Sequence, residues 1–291
     1  MSDGKPSKLK TLGIRAASGL VLVAICGIPL YFGGWVLAAF IAIVSTRIIY
    51  EWVRMSDPDL IKLALIIPVA GLLCALSLMQ FGVWGIDNWK WAVALVGFVG
   101  ALATLERARR DNGLRGGLWA GFGCLYILLP SLAILWLRGD EVGVSADGFA
   151  KFIFLVVVVI AADSWAYIGG STLKGPKLIP KVSPNKTWSG MISGFVFGAL
   201  FGALAAWIIG FNPAYGALLA MPVVAFAVLG DLLESIIKRR LNVKDAGGII
   251  PGHGGLLDRI DSLILIVVIA AAVLMVWPNI WPPHSVMMGG V

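Results

Sequence analysis

Charge is scarce in this chain: Asp, Glu, Lys and Arg make up 13% of its 291 residues. An ordinary soluble domain carries about twice that share. Histidine is scarcer still, with only His253 and His284. Cysteine occurs at Cys26, Cys74 and Cys124, each inside an apolar stretch, with neither disulfide nor zinc-ligand spacing. Their expected role is that of small buried hydrophobes. The chain also lacks any segment outside its apolar runs longer than roughly 30 residues. That leaves no room for a soluble catalytic domain, so any chemistry takes place at or within a membrane.

What fills the chain instead is apolar. Hydrophobic residues make up 59% of it, and the mean hydropathy is +0.92. The apolar stretches are unbroken and near 20 residues long, which specifies an all-α polytopic bundle rather than a β-barrel. Nine spans are predicted, at roughly 17–33, 35–50, 60–81, 89–105, 117–137, 150–169, 189–210, 213–233 and 262–281. With the N-terminus in the cytoplasm, 20 of the 23 Lys and Arg fall on cytoplasmic segments, leaving Lys90, Arg138 and Lys151 outside. This positive-inside bias supports both the count and the orientation. The basic N-terminal region and its apolar run have no clear small-residue cleavage site, so the run is read as an uncleaved first helix. Residues 1–16 read either as a basic helix on the anionic inner leaflet or as a frayed flank. Residues 1–150 hold little polar sequence within their spans and are expected to be scaffold with lipid access. Residues 151–291 are expected to form the catalytic region.

The scarce charge is concentrated. Between the last two predicted spans lie Asp231, Glu234, Asp258 and Asp261, with Lys238, Arg239, Arg240, Lys244, Arg259 and His253. Charge beside lipid is costly and calls for metals, phosphates or mutual pairing. Asp258 and Asp261 are three apart, and on a helix that spacing shares a face. Two close carboxylates repel unless a cation lies between them, and a hard ion such as Mg²⁺ suits oxygen ligands. Pairing with Arg239, Arg240 or Arg259 is the competing reading. Residues 247–255 hold five glycines in nine positions, with Pro251 and His253. Such a stretch can expose backbone N–H groups to a phosphate or serve as a mobile connector. The loop 170–188 has four lysines and no acid, and Thr187 or Ser189 can cap the following helix. Asp163 lies inside a span, where a charge costs roughly 2.5–3.5 kcal/mol on the insertion scale. It reads either as facing a polar cavity shared with Asp231 and Asp261 or as a protonated, helix-bridging acid.

These residues carry a resemblance. The run Ser235-Ile-Ile-Lys238-Arg239, then Lys244-Asp245, Pro251-Gly-His253-Gly254-Gly255 and Asp258-Arg259-Ile-Asp261, closely resembles the signature of phosphatidate cytidylyltransferases. Upstream, Asp163-Ser-Trp-Ala-Tyr167, Lys177-Leu-Ile-Pro180 and Ser183-Pro-Asn-Lys186-Thr187 are similar to the same family. The resemblance covers about 155–262 strongly. Where many members carry an arginine after the first motif, this chain has Gly170, and where many carry a glutamate it has Ser189.

The resemblance implies the reaction of CTP with phosphatidate to give CDP-diacylglycerol and pyrophosphate, with Mg²⁺ and a second, monovalent cation as a further candidate. It implies Asp231, Asp258 and Asp261 as metal ligands, with Asp163 as an additional one, and Lys238 beside them in catalysis. Substrate contacts fall to Ser183, Lys186, Ser235, Arg239, Lys244, Asp245, His253, Gly254, Gly255 and Arg259. The expected partners are CTP, phosphatidate of the inner leaflet, surrounding lipid and a second copy in a homodimer, without nucleic acid. The expected location is a bacterial cytoplasmic membrane, with the site facing the cytoplasm. A CTP-dependent lipid kinase of the polyprenol or phytol type shares the general layout. A CDP-alcohol phosphotransferase requires Gly after the second Asp, where this chain has Ser262. An ion-coupled transporter is disfavoured because the charge gathers at one face.

Overall fold

A computed structural model describes residues 25–57, 59, 62–81, 88–111, 113–180, 182–247 and 255–281. The chain is an all-α membrane protein. Helix α1 is described over 25–32. It is followed by α2 (Gly34–Ser56), α3 (Lys62–Gln80), α4 (Asn88–Arg110), α5 (Leu114–Arg138) and α6 (Asp147–Leu173). A small hairpin, β1 (Lys177–Ile179) and β2 (Ser183–Thr187), leads into α7 (Trp188–Ile209) and α8 (Pro213–Arg240). A 3-10 turn, Leu257–Arg259, precedes α9 (Asp261–Val276). Among the described residues, seven helices, α2 to α8, are long and apolar enough to cross a membrane, and α9 is a shorter apolar helix. These eight match eight of the nine predicted spans. Most of the first predicted span lies outside the described residues.

The polar ends differ from expectation in two places. Residues 170–188 were expected as a loop. Instead α6 runs on to Leu173, and the next residues pair as an antiparallel hairpin with Lys177 opposite Thr187 and Ile179 opposite Ser183. Helix α8 also continues past residue 233 to Arg240, for 28 residues. At 1.5 Å per residue it is about 42 Å long, well beyond a hydrocarbon core of about 30 Å. Hydropathy ends the span there, but Leu, Glu, Lys and Arg are good helix formers, and Glu234 pairs with Lys238 one turn on.

Two apolar clusters form the core. One gathers Leu37, Ile48, Trp52, Leu72, Val96 and Leu128 around Ile237, Leu257 and Ile264. The other gathers Phe154, Val158, Ala206, Val224, Val267 and Trp281. Helix α5 contributes to both, through Leu128 and Leu132 to the first and Ala133 and Leu137 to the second. The N-terminal helices therefore pack directly on the turn that precedes α9.

Ser145 and Lys177 are both exposed, beyond opposite ends of α6. On the orientation expected from the charge bias, Lys177 would face the cytoplasm and Ser145 the outside. In a background without the three native cysteines, Ser145→Cys should react with an impermeant thiol reagent added outside intact cells, and Lys177→Cys should resist it. The reverse labelling pattern would overturn the orientation.

Candidate active site

Helix α8 supplies one wall of the site. Asp231, Glu234 and Lys238 are spaced i, i+3, i+7 and so share a helical face. Glu234 is 1% exposed and pairs with Lys238 at 2.7 Å. The other groups that act on it are the acids Asp258 and Asp261. Burying a carboxylate this way is costly unless something else shares the charge.

Asp261 opens α9 and faces that wall. A Cβ at position 230 would sit 2.8 Å from the Asp261 carbonyl oxygen, so only glycine lets α8 approach the start of α9 this closely. One carboxylate oxygen each from Asp231, Glu234 and Asp261 then lies within 4.8 Å of the others. Asp163 of α6 lies beside Ser262, with Asp231 and Lys186 close enough to act on it electrostatically. Lys186 of β2 closes the cluster by pairing with Asp231 at 2.5 Å. Four elements thus converge: α6, the hairpin, α8 and the start of α9.

Asp258 has a different setting from the one its spacing suggested. It lies in the 3-10 turn and does not share a helix with Asp261. It accepts hydrogen bonds from the Gly255 N–H at 2.7 Å and the Ala246 N–H at 3.1 Å, and it pairs with Lys238 at 2.9 Å. Burial works to raise its pKa, but the Lys238 ammonium and the Gly255 N–H outweigh burial and hold the carboxyl below its usual value. Lys238 therefore bridges Glu234 and Asp258.

The other expected residues spread outward from this centre. Ser183 and Ser235 are half-buried, on β2 and α8. Arg239, Lys244, Asp245 and Arg259 are exposed along the end of α8 and the segments after it. Gly255 is buried against Asp258, while His253 and Gly254 lie outside the described residues. Thr187 caps α7 as expected, accepting from the Gly190 N–H at 3.1 Å. A Cβ at position 170 would meet Thr187 Oγ1 at 2.9 Å, so the hairpin leaves little room there for the arginine that many members carry.

Sequence reasoning undervalued Glu234 and passed over Ser262. Glu234 repeats at i+3 from Asp231 the spacing of the other Asp pair, which was the available signal. Nothing in the local sequence marks Ser262 as a neighbour of Asp163.

Residues 13–277 match the family model described as the Cytidylyltransferase family. The chain belongs to that family. A Brucella abortus protein named phosphatidate cytidylyltransferase is 32% identical over 280 residues, covering 96% of this chain and 97% of the relative. A Brucella suis protein of the same name is 32% identical over 257 residues, covering 88% of this chain and 90% of the relative. One from Rickettsia bellii is 45% identical over 151 residues, covering 49% of this chain and 63% of its own length.

The close approach at Gly230 makes a stability prediction of definite sign. Gly230→Ala forces a contact with backbone and should destabilise the folded protein by about 1–3 kcal/mol, as overpacking does. Gly97→Ala, in α4, meets no atom within 4 Å of its new Cβ. It should be neutral or stabilising by up to about 1 kcal/mol. Thermal unfolding in detergent compares the two, and equal shifts would contradict the packing at Gly230.

Proposed function

We propose that the protein is a phosphatidate cytidylyltransferase of the bacterial cytoplasmic membrane, converting CTP and phosphatidate into CDP-diacylglycerol and pyrophosphate at its cytoplasmic face. The observation that carries the reading is the cluster of Asp231, Glu234 and Asp261 flanked by Lys186 and Lys238. Family membership and the names of its relatives support it. The 20 cations that the charge bias assigns to the cytoplasm support the orientation.

The donor set fits a hard divalent cation. All three ligands are carboxylate oxygens, they lie within 4.8 Å of one another, and the buried Glu234 oxygens need charge compensation beyond Lys238. On this reading Asp231, Glu234 and Asp261 hold Mg²⁺, with Asp163 next to them. When bound, the ion neutralises the triphosphate and the developing charge on the leaving pyrophosphate. Asp258 then serves a different purpose, fixing Lys238 and the turn before α9.

The rest of the chemistry is positioning and charge. The nucleophile is the lipid phosphate, already ionised at neutral pH, so no side chain has to remove a proton to create it. Two polyanions must meet and a third must leave, and fixed cations lower the barrier by matching the charge that develops. Lys186 and Lys238 stand at the carboxylate cluster for this purpose. Arg239, Lys244 and Arg259, exposed on the same side, extend the field toward the nucleotide and the lipid headgroup. The site lies where a spanning helix leaves the hydrocarbon, within reach of both a membrane-bound and a dissolved substrate.

Two outcomes test the reading. Asp261→Asn should lower turnover by at least about a hundredfold, since a metal-held charge is worth several kcal/mol in the transition state. Near-wild-type turnover at limiting Mg²⁺ would remove Asp261 from the site. With phosphatidate and CTP labelled at one phosphorus, the α label should enter the lipid fraction and the γ label should leave as pyrophosphate. Transfer of the γ label to lipid would make the protein a CTP-dependent kinase instead.

A further inference from the structure

We infer that Glu51, on α2 in the N-terminal half, is a positioning residue of this active site: its carboxylate grips the backbone turn that carries Asp258 and Asp261. The inference rests on the functional reading above for its catalytic consequence, though the contact itself does not.

Glu51 is 1% exposed, and with Ser45 it is one of two polar residues among the buried residues of α2. Its two oxygens face the turn. Oε1 accepts from the Leu256 N–H at 3.0 Å and Oε2 from the Leu257 N–H at 2.9 Å. Arg47, one helical turn back, pairs with Oε1 at 3.4 Å. Each oxygen therefore serves one of two consecutive backbone donors, more than 200 residues away in sequence. Charge-assisted hydrogen bonds of this kind are the stronger ones, and a fork of two fixes orientation as well as distance.

The fit around Glu51 is tight. A Cβ at position 255 would lie 2.8 Å from Glu51 Oε2 and 2.7 Å from the Gly247 nitrogen. A Cβ at position 247 would lie 2.9 Å from Glu51 Oε1. Gly247 and Gly255 thus close on the carboxylate because neither has a side chain. Asp258 holds adjoining backbone, through the N–H groups of Ala246 and Gly255. The backbone around the turn is therefore held by two carboxylates. Asp258 passes the constraint to Lys238 and so to Glu234, and Asp261 follows the turn directly.

This arrangement has a chemical consequence. A carboxylate presents two acceptors, while the amide of glutamine presents one acceptor and two donors. Glu51→Gln keeps the volume but aims an N–H at a backbone N–H. The turn should then loosen while the helices stay packed. Losing a residue that orients metal ligands in this indirect way typically costs about 10- to 100-fold in metal affinity or activity.

The test uses full-length protein in detergent, with Ser45→Ala as the comparison. Ser45 is buried on the same helix and bonds Ser131 at 2.8 Å, away from the turn. Both variants are assayed well below their unfolding temperatures for α-label transfer across a Mg²⁺ series, and by amide hydrogen exchange. Glu51→Gln should lower kcat/KM for CTP about 10- to 100-fold, raise the Mg²⁺ needed for half-maximal rate, and speed exchange in a peptide covering 255–260, but not in α7. Ser45→Ala should change none of these. Turnover and Mg²⁺ dependence in Glu51→Gln that match wild type or Ser45→Ala would overturn the inference, whatever the thermal stability. If wild type transfers no α label, the functional reading fails instead. The grip of Glu51 is then judged by exchange alone, and unchanged protection at 255–260 overturns it.

Discussion

Lys238 carries a single charge between two buried or half-buried carboxylates, and the polar end of the molecule is organised around it. Glu234 on one side and Asp258 on the other are 2.7 and 2.9 Å from its ammonium. Without that cation the two acids would have to separate or take up protons, because close carboxylates cannot both stay ionised in a poorly hydrated setting. With it, the end of α8 and the turn before α9 become one unit. Asp231 and Asp261 then come to face each other across the narrow gap that Gly230 permits.

The membrane architecture was largely legible in the sequence because it rests on one strong term, the transfer of apolar side chains from water to lipid. That term predicted eight spans that overlap the observed helices, with ends off by up to seven residues, and the larger misses lie at the polar ends. There, helix propensity carried α8 past its apolar end, and backbone pairing turned an expected loop into a hairpin. The candidate site was legible as a set of residues but not as an arrangement. Spacing paired Asp258 with Asp261, because i and i+3 meet on a helix. The chain instead breaks between them, and Asp261 meets the acids of α8. Such a meeting depends on a glycine contact and a tertiary fold that no local pattern encodes.

The same limit hid the part played by the N-terminal half. Its spans read as scaffold because they hold few polar residues. Buried acids inside such helices are few, however, and each must be matched. Asp57 is matched by Arg107 and Arg110 at the ends of α2 and α4. Glu51 is matched partly by Arg47 and partly by the backbone before α9, so an acid of the scaffold ends up shaping the polar end. The first apolar cluster follows the same route, since Leu257 and Ile264 are buried among side chains of α2 to α5.

Arg138 is one of the three cations that charge counting leaves on the outer face, and it is 1% exposed. Its guanidinium donates to the carbonyls of Leu30, Tyr31 and Glu141, so it ties the end of α1 to the segment that follows α5. Lys151 is similarly paired with Asp147, and Lys90 lies 5.8 Å from the ring of Trp89. On the proposed orientation the outer face presents almost no unengaged positive charge, while Arg239, Lys244 and their neighbours stand exposed on the inner one. A membrane potential, negative inside, acts on each elementary charge with about 2.3 kcal/mol per 100 mV. On that orientation the potential favours keeping the exposed cations at the end of α8 on its negative side, so it would add to the charge bias in holding the protein the same way up.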